Sequence, residues 1–138
     1  DIFYEDPEVL VISIHGDPRE YFPYLIGFST EMGAGAGAGF NRNIILPTGT
    51  KLKAYEQALK KHVFPTIKAF EPEHLIVSAG FDTYKLDPIG KFEIETDDYQ
   101  KLGRQIFELN LPTVILQEGG YHTKDLGPNV KSFLKGFL

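Results

Sequence analysis

The chain contains no cysteine. Disulfides and thiolate zinc sites are therefore excluded, and any metal must take oxygen or imidazole ligands. Positive charge is also short: 14 Lys and Arg stand against 19 Asp and Glu, a formal net charge of −5. Direct binding of nucleic acid needs a basic stripe, so it is not expected. No apolar run approaches the length of a membrane-spanning helix, and Asp1-Ile2-Phe3-Tyr4-Glu5-Asp6 does not read as a signal peptide. No membrane partner is expected, and the cytoplasm is the default location. No Gly-Lys-Ser/Thr occurs, which removes a P-loop, and no Asp-x-His occurs either. What is present is 42% hydrophobic residues in 138, enough for the packed core of one domain or part of one.

The rest of the chain is organised around Leu75-Ile76-Val77-Ser78-Ala79-Gly80-Phe81-Asp82. A short apolar run with a β-branched centre, closed by a turn signal, reads as a buried parallel strand. Ligands of open α/β sheets sit beyond the carboxyl ends of the strands, which is where Asp82 falls. On position alone a turn cap is the simpler reading, because Asp is a favoured turn residue. The following Thr83–Gly90 segment, with Asp87-Pro88 inside it, reads as a rigid loop.

Upstream, Val9–Ile14 is the first strand, apolar throughout and so expected to be covered on both faces. A long loop runs from His15 to Phe40 and carries Tyr21-Phe22-Pro23-Tyr24-Leu25-Ile26 and Phe28. Exposing that much apolar surface is costly, so the loop is expected to pack, for instance as a channel wall. Its end, Gly33-Ala-Gly-Ala-Gly-Ala-Gly39, is no dinucleotide fingerprint. The third glycine fails in each register, and a strand, Asn43–Pro47, follows instead of a helix. Close backbone approach is the expected role. Leu52, Tyr55, Leu59, Val63 and Ile67 mark a helix over roughly 51–69, with Pro65 predicting a kink near His62. With the strand at 75–80 this makes a strand–helix–strand unit, expected to be parallel and right-handed. A helix starts at Thr96-Asp97-Asp98, a strand covers Pro112–Gln117, a glycine-rich turn covers Glu118–His122, and a short helix covers Asn129–Leu138. The sum is an α/β layer fold with a mainly parallel sheet, and the turns at Asp82 and at Glu118–Tyr121 are expected on one edge of it.

These stretches resemble the zinc-dependent deacetylases, that is, the histone deacetylases and acetylpolyamine amidohydrolases, closest in wording to the class II and bacterial branches. The residues that carry the resemblance are Ser13-Ile14-His15, Tyr21-Phe22-Pro23, Ser78-Ala79-Gly80-Phe81-Asp82 with Asp87-Pro88, and Glu118-Gly119-Gly120-Tyr121. The resemblance implies an arginase-like three-layer α/β/α fold. It makes Asp82 one of three zinc ligands and Tyr121 the hydrogen-bond donor to the developing oxyanion. Phe22, Pro88, Ile89, Gly119 and Gly120 would line the substrate tunnel. Ser13 through its hydroxyl and Ile14 through its carbonyl would bind a structural potassium ion, and the backbone of Phe3, Asp6 and Val9 would bind a second one.

The family's other two zinc ligands, in an Asp-x-His motif, and its paired histidines would lie upstream of Asp1. His62 and His74 read as ordinary residues of the helix and the strand edge. His15 and His122 lie beside site elements. The expectation is thus the C-terminal portion, residues 1–138, of a single deacetylase-type catalytic domain, with an incomplete fold and no activity alone. The whole domain would remove an acetyl group from acetyl-lysine or an acetylated polyamine. A different reading is a non-catalytic truncated remnant with a binding or structural role, and the exposed sheet edge of such a piece invites self-association. A Ser/His/Asp hydrolase using Ser78 fails, because Ser78 lies within the strand and not on a Gly-x-Ser-x-Gly elbow. As to substrate, Ile89 gives no help to a cationic polyamine at the tunnel rim, whereas Asp17, Glu20 and Glu31 of the long loop could.

Overall fold

The computed structural model describes residues 2–138. They fall into two units: residues up to Thr48 with Ala58–Phe70, and Gly49–Gln57 with Glu71–Leu138.

In the first unit, β1 (Val11–Gly16) pairs in parallel with β2 (Asn41–Leu46), Val11 opposite Asn41 and Gly16 opposite Leu46. A parallel pair needs a long connection, and residues 17–40 supply it. Within that loop the glycine–alanine run packs against the N-terminal segment. Ala34 N donates to Tyr4 O at 2.9 Å, and a Cβ on Gly37 would lie 2.6–2.7 Å from the backbone of Tyr4, Glu5 and Asp6. The close approach expected of the run is thus present. The apolar tip is not packed as expected: Phe22 is 79% and Leu25 71% exposed. Its backbone is held by turn bonds such as Leu25 N to Pro18 O, and Tyr24 and Leu25 are left-handed at φ 53° and 60°. That geometry presents the side chains to solvent.

The helical stretch begins as α1 (Leu52–Ala58), passes through a π turn at Leu59–Val63 and ends as α2 (Phe64–Phe70). Pro65 has no N–H to donate, so the ladder is disturbed in the preceding turn. The kink expected near His62 takes this form, and the Thr66 hydroxyl donates to the His62 carbonyl at 2.7 Å.

In the second unit, β3 (Leu75–Gly80) pairs in parallel with β4 (Thr113–Glu118), with α3 (Thr96–Phe107) between them in sequence. The expected strand–helix–strand pairing of β2 with β3 does not occur: the two belong to different sheets. Apolar runs identify strands but carry no label for their neighbours. The expected cover on both faces is also absent, since Ile76, Val114 and Leu116 share one exposed sheet face. The last helix, α4 (Thr123–Lys135), starts six residues before the expected Asn129 and contains Pro128. Its packing on α3 overrides the Gly127-Pro128 break signal. Gly103 and Gly136 have no room for a Cβ against Phe133 O and Arg104 N respectively, so the two helices touch backbone to backbone. The core here is Phe81, Phe92, Ile94, Tyr99, Leu102 and Phe133, all buried. Full burial of one such side chain stabilises by roughly 1.5–3 kcal/mol.

Candidate active site

β3 and β4 end level with each other, Gly80 opposite Glu118. The two turns that follow therefore leave the same edge of their sheet. One carries Asp82 and the other carries Gly119, Gly120 and Tyr121, as expected.

Asp82 is placed by the residue before it. Phe81 is buried against Tyr99 at 5.2 Å and Phe133 at 5.9 Å between ring centroids. The Asp82 carboxylate then sits between two glycines. A Cβ on Gly80 would come 3.0 Å from Oδ1, and one on Gly119 would come 3.1 Å from Oδ2. No cation or donor of another described residue bonds this carboxylate. Burial first, and the nearby charge of Asp87 second, push it above the ordinary carboxylate range. A desolvated carboxylate without a cation, in a cradle only glycines leave open, suits one oxygen ligand of a metal. Among the described residues, no group of three or more His, Asp or Glu could hold an ion. Asp82 thus fits as a single ligand, and the described residues hold no complete set.

Gly119 and Gly120 are left-handed at φ +65° and +103°. Their close contacts are with Asp82 and with Phe81 and Leu126. Tyr121 follows, 50% exposed, its hydroxyl without a protein partner among the described residues. Its backbone N donates to Asp87 Oδ2 at 2.7 Å. Asp87 also holds Ile89 N and Gly90 N, both at 2.9 Å, which fixes the exposed Pro88 and Ile89. Asp82, Pro88, Ile89, Gly119, Gly120 and Tyr121 are thereby brought together in one unit. Asp87 is the site residue that reading by residue type missed. An Asp followed by Pro, Ile and Gly is an Asx-turn signal, but the bonds to residues 121 and 122 have no sequence signature.

His122 is a second group with unexpected company. Its Nδ1 lies 3.2 Å from Asp125 Oδ2 without a hydrogen bond between them, and that oxygen accepts from Tyr84 OH at 3.1 Å.

The remaining candidates lie in the other unit. His15 Nε2 bonds the Gly27 carbonyl at 2.8 Å, so Nε2 carries the hydrogen and Nδ1 accepts. Ser13 Oγ, 2.7 Å from Nδ1, is then the donor, and its lone pairs stay free for a cation. Ile14 lies beside it in β1, opposite Ile44. Phe3 O accepts from Asp6 N at 3.2 Å, Asp6 Oδ1 accepts from Glu8 N at 2.8 Å, and Val9 is half-buried. Phe22 stacks edge-on with Tyr24 at 6.3 Å. The three loop carboxylates are already engaged. Asp17 pairs with Arg19, whose hydrogen bonds hold it down to about 2. Glu20 accepts from the Thr48 hydroxyl, and Glu31 accepts from Gly27 N.

Parallel strands ending level, with a bare carboxylate and a Gly-Gly-Tyr turn at their carboxyl edge, define an α/β protein with its site at the strand ends. Residues 1–137 match the model of the histone deacetylase domain, and the chain belongs to the histone deacetylase family. It is 43% identical over 141 residues to an acetylpolyamine amidohydrolase of Burkholderia pseudomallei, covering 99% of this chain and 40% of that protein. It is 42% identical to acetylpolyamine amidohydrolase 2 of Pseudomonas aeruginosa, with the same two coverages, 99% and 40%. The crystal structure of the Burkholderia pseudomallei acetylpolyamine aminohydrolase superposes with a TM-score of 0.94, over 99% of this chain and 40% of that one at 43% identity. The fold is thus the α/β fold of that family, and the chain spans about 40% of the length of the relatives it matches. Among the described residues no helix is long and apolar enough to cross a membrane.

Proposed function

We propose that the chain forms part of a zinc-dependent amidohydrolase that removes an acetyl group from an acetylated amine, either an acetylated polyamine or acetyl-lysine. One observation carries this reading: the uncompensated, desolvated Asp82 carboxylate lies between Gly80 and Gly119, level with the turn that bears Tyr121. Asp82 would be one zinc ligand, and the others and the general base would come from outside residues 1–138. Zinc held there would supply a Lewis acid for the amide carbonyl and an acidified water. Tyr121 has a free phenolic hydrogen, and it would donate that hydrogen to the oxygen that gains charge as the carbonyl is attacked. Pro88 and Ile89, fixed by Asp87, would form part of the tunnel rim. Gly119 leaves the space beside Asp82 free of a side chain, and Gly120 lets the turn lie close on Phe81 and Leu126. Ser13, whose hydroxyl hydrogen is turned to His15, and the Ile14 carbonyl would serve a potassium ion, with the backbone of Phe3, Asp6 and Val9 serving a second. The ion pair with Arg19 weakens Asp17 as an attractor of a polyamine's free ammonium groups, whereas the bonds of Glu20 and Glu31 to a hydroxyl and an amide leave their charge in place.

The absence of a three-ligand group among the described residues favours a second reading, a non-catalytic remnant with a binding role. Steady-state kinetics of Tyr121→Phe in the full-length protein test the first. Loss of one oxyanion donor costs on the order of 10²–10³ in kcat. Because the bond strengthens in the transition state, KM should change little. Activity within a few-fold of the parent at full zinc occupancy would refute the role of Tyr121.

A further inference from the structure

We propose that Asp87 is a positioning residue whose buried carboxylate locks the Tyr121 turn to the tunnel-rim turn and so sets where the Tyr121 hydroxyl lies. The inference rests on the reading of Tyr121 given above. Asp87 is 8% exposed, and four backbone amides converge on it. Oδ1 accepts from Ile89 N and Gly90 N at 2.9 Å each, and Oδ2 accepts from Tyr121 N at 2.7 Å and His122 N at 3.3 Å. The two oxygens thus serve two different loops, one oxygen each. Charge-assisted bonds of this kind are about twice as strong as neutral ones. The turn is also anchored at its end, where His122 O accepts from Asp125 N and Leu126 N, but Asp87 holds the Tyr121 amide. Two consecutive glycines precede Tyr121, and glycine is the residue least restrained by its own sterics. Across the turn, Gln117 Nε2 bonds Gly119 O at 2.7 Å, but the amides of Tyr121 and His122 have only Asp87. On the other side Gly90 packs on the Asp82 carbonyl so closely that a Cβ would clash. The same loop therefore closes back on the residue that carries the candidate metal ligand. A single carboxylate ties together Asp82's loop, the rim at Pro88 and Ile89, and the hydroxyl donor.

Asp87→Asn keeps the shape but replaces one acceptor oxygen with an NH2 that faces two N–H donors. One of the two arms must release. The test is a double-mutant cycle in the full-length, zinc-loaded protein: parent, Asp87→Asn, Tyr121→Phe and both together. A catalytic group misplaced by about 1 Å costs on the order of 10²-fold. We expect Asp87→Asn to lower kcat by ~10–10²-fold in the parent and by less than ~3-fold when Tyr121 is already Phe, because residues acting through one another are not additive. If Tyr121→Phe is damaging yet Asp87→Asn costs the same factor in both backgrounds, Asp87 supports the fold generally and the inference is overturned alone. If Tyr121→Phe is itself silent, the reading of Tyr121 fails and takes this inference with it. Amide hydrogen exchange in the parent needs no variant and covers the case in which Asp87→Asn does not fold. The Tyr121 and His122 amides should be protected despite lying in a turn, and exchange as fast as free loop amides would overturn the proposal.

Discussion

Gly120→Ala offers a sharp check on the turn that carries Tyr121. Gly120 has φ +103°, beyond even the left-handed helical region that other residues visit. Holding a non-glycine residue in such a region costs on the order of 1–3 kcal/mol. The added Cβ would also sit 2.7 Å from Leu126 Cδ1 and 2.9 Å from Phe81 Cβ. Leu126 can swing its methyl away. Phe81 cannot, because it is buried and wedged between Tyr99 and Phe133. Overpacking of this sort costs a further ~1–3 kcal/mol. The smaller entropy of the unfolded alanine chain gives back at most about 1 kcal/mol. The net expectation is a destabilisation of about 1–5 kcal/mol, together with a fall in kcat as Tyr121 shifts. Urea denaturation of the full-length protein measures the first and steady-state kinetics the second. Gly127→Ala is the control: a Cβ there meets nothing within 4 Å and lies inside α4. It should be neutral or stabilise by up to ~1 kcal/mol through helix propensity. A Gly120→Ala loss below about 0.5 kcal/mol, or equal losses for the two variants, would refute the reasoning.

Two further outcomes are expected. The 138-residue chain alone should show neither deacetylase turnover nor a tight stoichiometric zinc site by calorimetric titration, since no group of three ligands occurs among the described residues and catalytic sites use three; tight binding abolished by Asp82→Ala would mean that ligands were missed, with His15 and His122 the first suspects. Burial, and less strongly the charge of Asp82, push the Tyr55 phenol up to about 12, and burial likewise raises that of Tyr99. Because the folded values exceed the unfolded value near 10, the stability these neutral phenols contribute is complete below pH 10. It is lost as the pH rises from there through about 12. Ultraviolet difference titration should show late-ionising tyrosines in the native protein, and all seven ionising together near pH 10 would contradict this.

Much of the site was readable because its parts are local. A strand that runs into Gly80-Phe81-Asp82 and another that runs into Gly119-Gly120-Tyr121 announce themselves by an apolar run and a turn signal. Parallel strands then place both ends on one edge. Which strands pair was not readable. β1 joins β2 through residues 17–40, and no residue in β2 or β3 records that they lie in different sheets. The start of α4 was hidden for a related reason. Gly127-Pro128 is a valid break signal taken alone, and what overrides it is contact with α3 through Gly103 and Gly136. The exposed tip Phe22–Ile26 shows the limit of burial arguments: apolar composition alone does not say what covers a loop.

Asp82 and Asp87 lie five residues apart, and composition cannot tell them apart. Their surroundings assign them opposite tasks. The lone pairs of Asp87 are spent on amides at Ile89, Gly90, Tyr121 and His122, so it has no capacity left for a ligand and full capacity to fix two loops. Asp82 is half-buried and meets only the space beside Gly80 and Gly119, so its charge is uncompensated within the unit. A buried carboxylate costs free energy unless it is paired. In Asp87 the pairing is internal, and in Asp82 no described residue supplies it. The charge of Asp87 disfavours the ionised form of Asp82 while no cation is present. A divalent ion would be attracted by both charges at once but ligated by one. On the function proposed above, the pair would separate two demands, rigidity around the reacting atoms and an open coordination position, and give each to its own carboxylate.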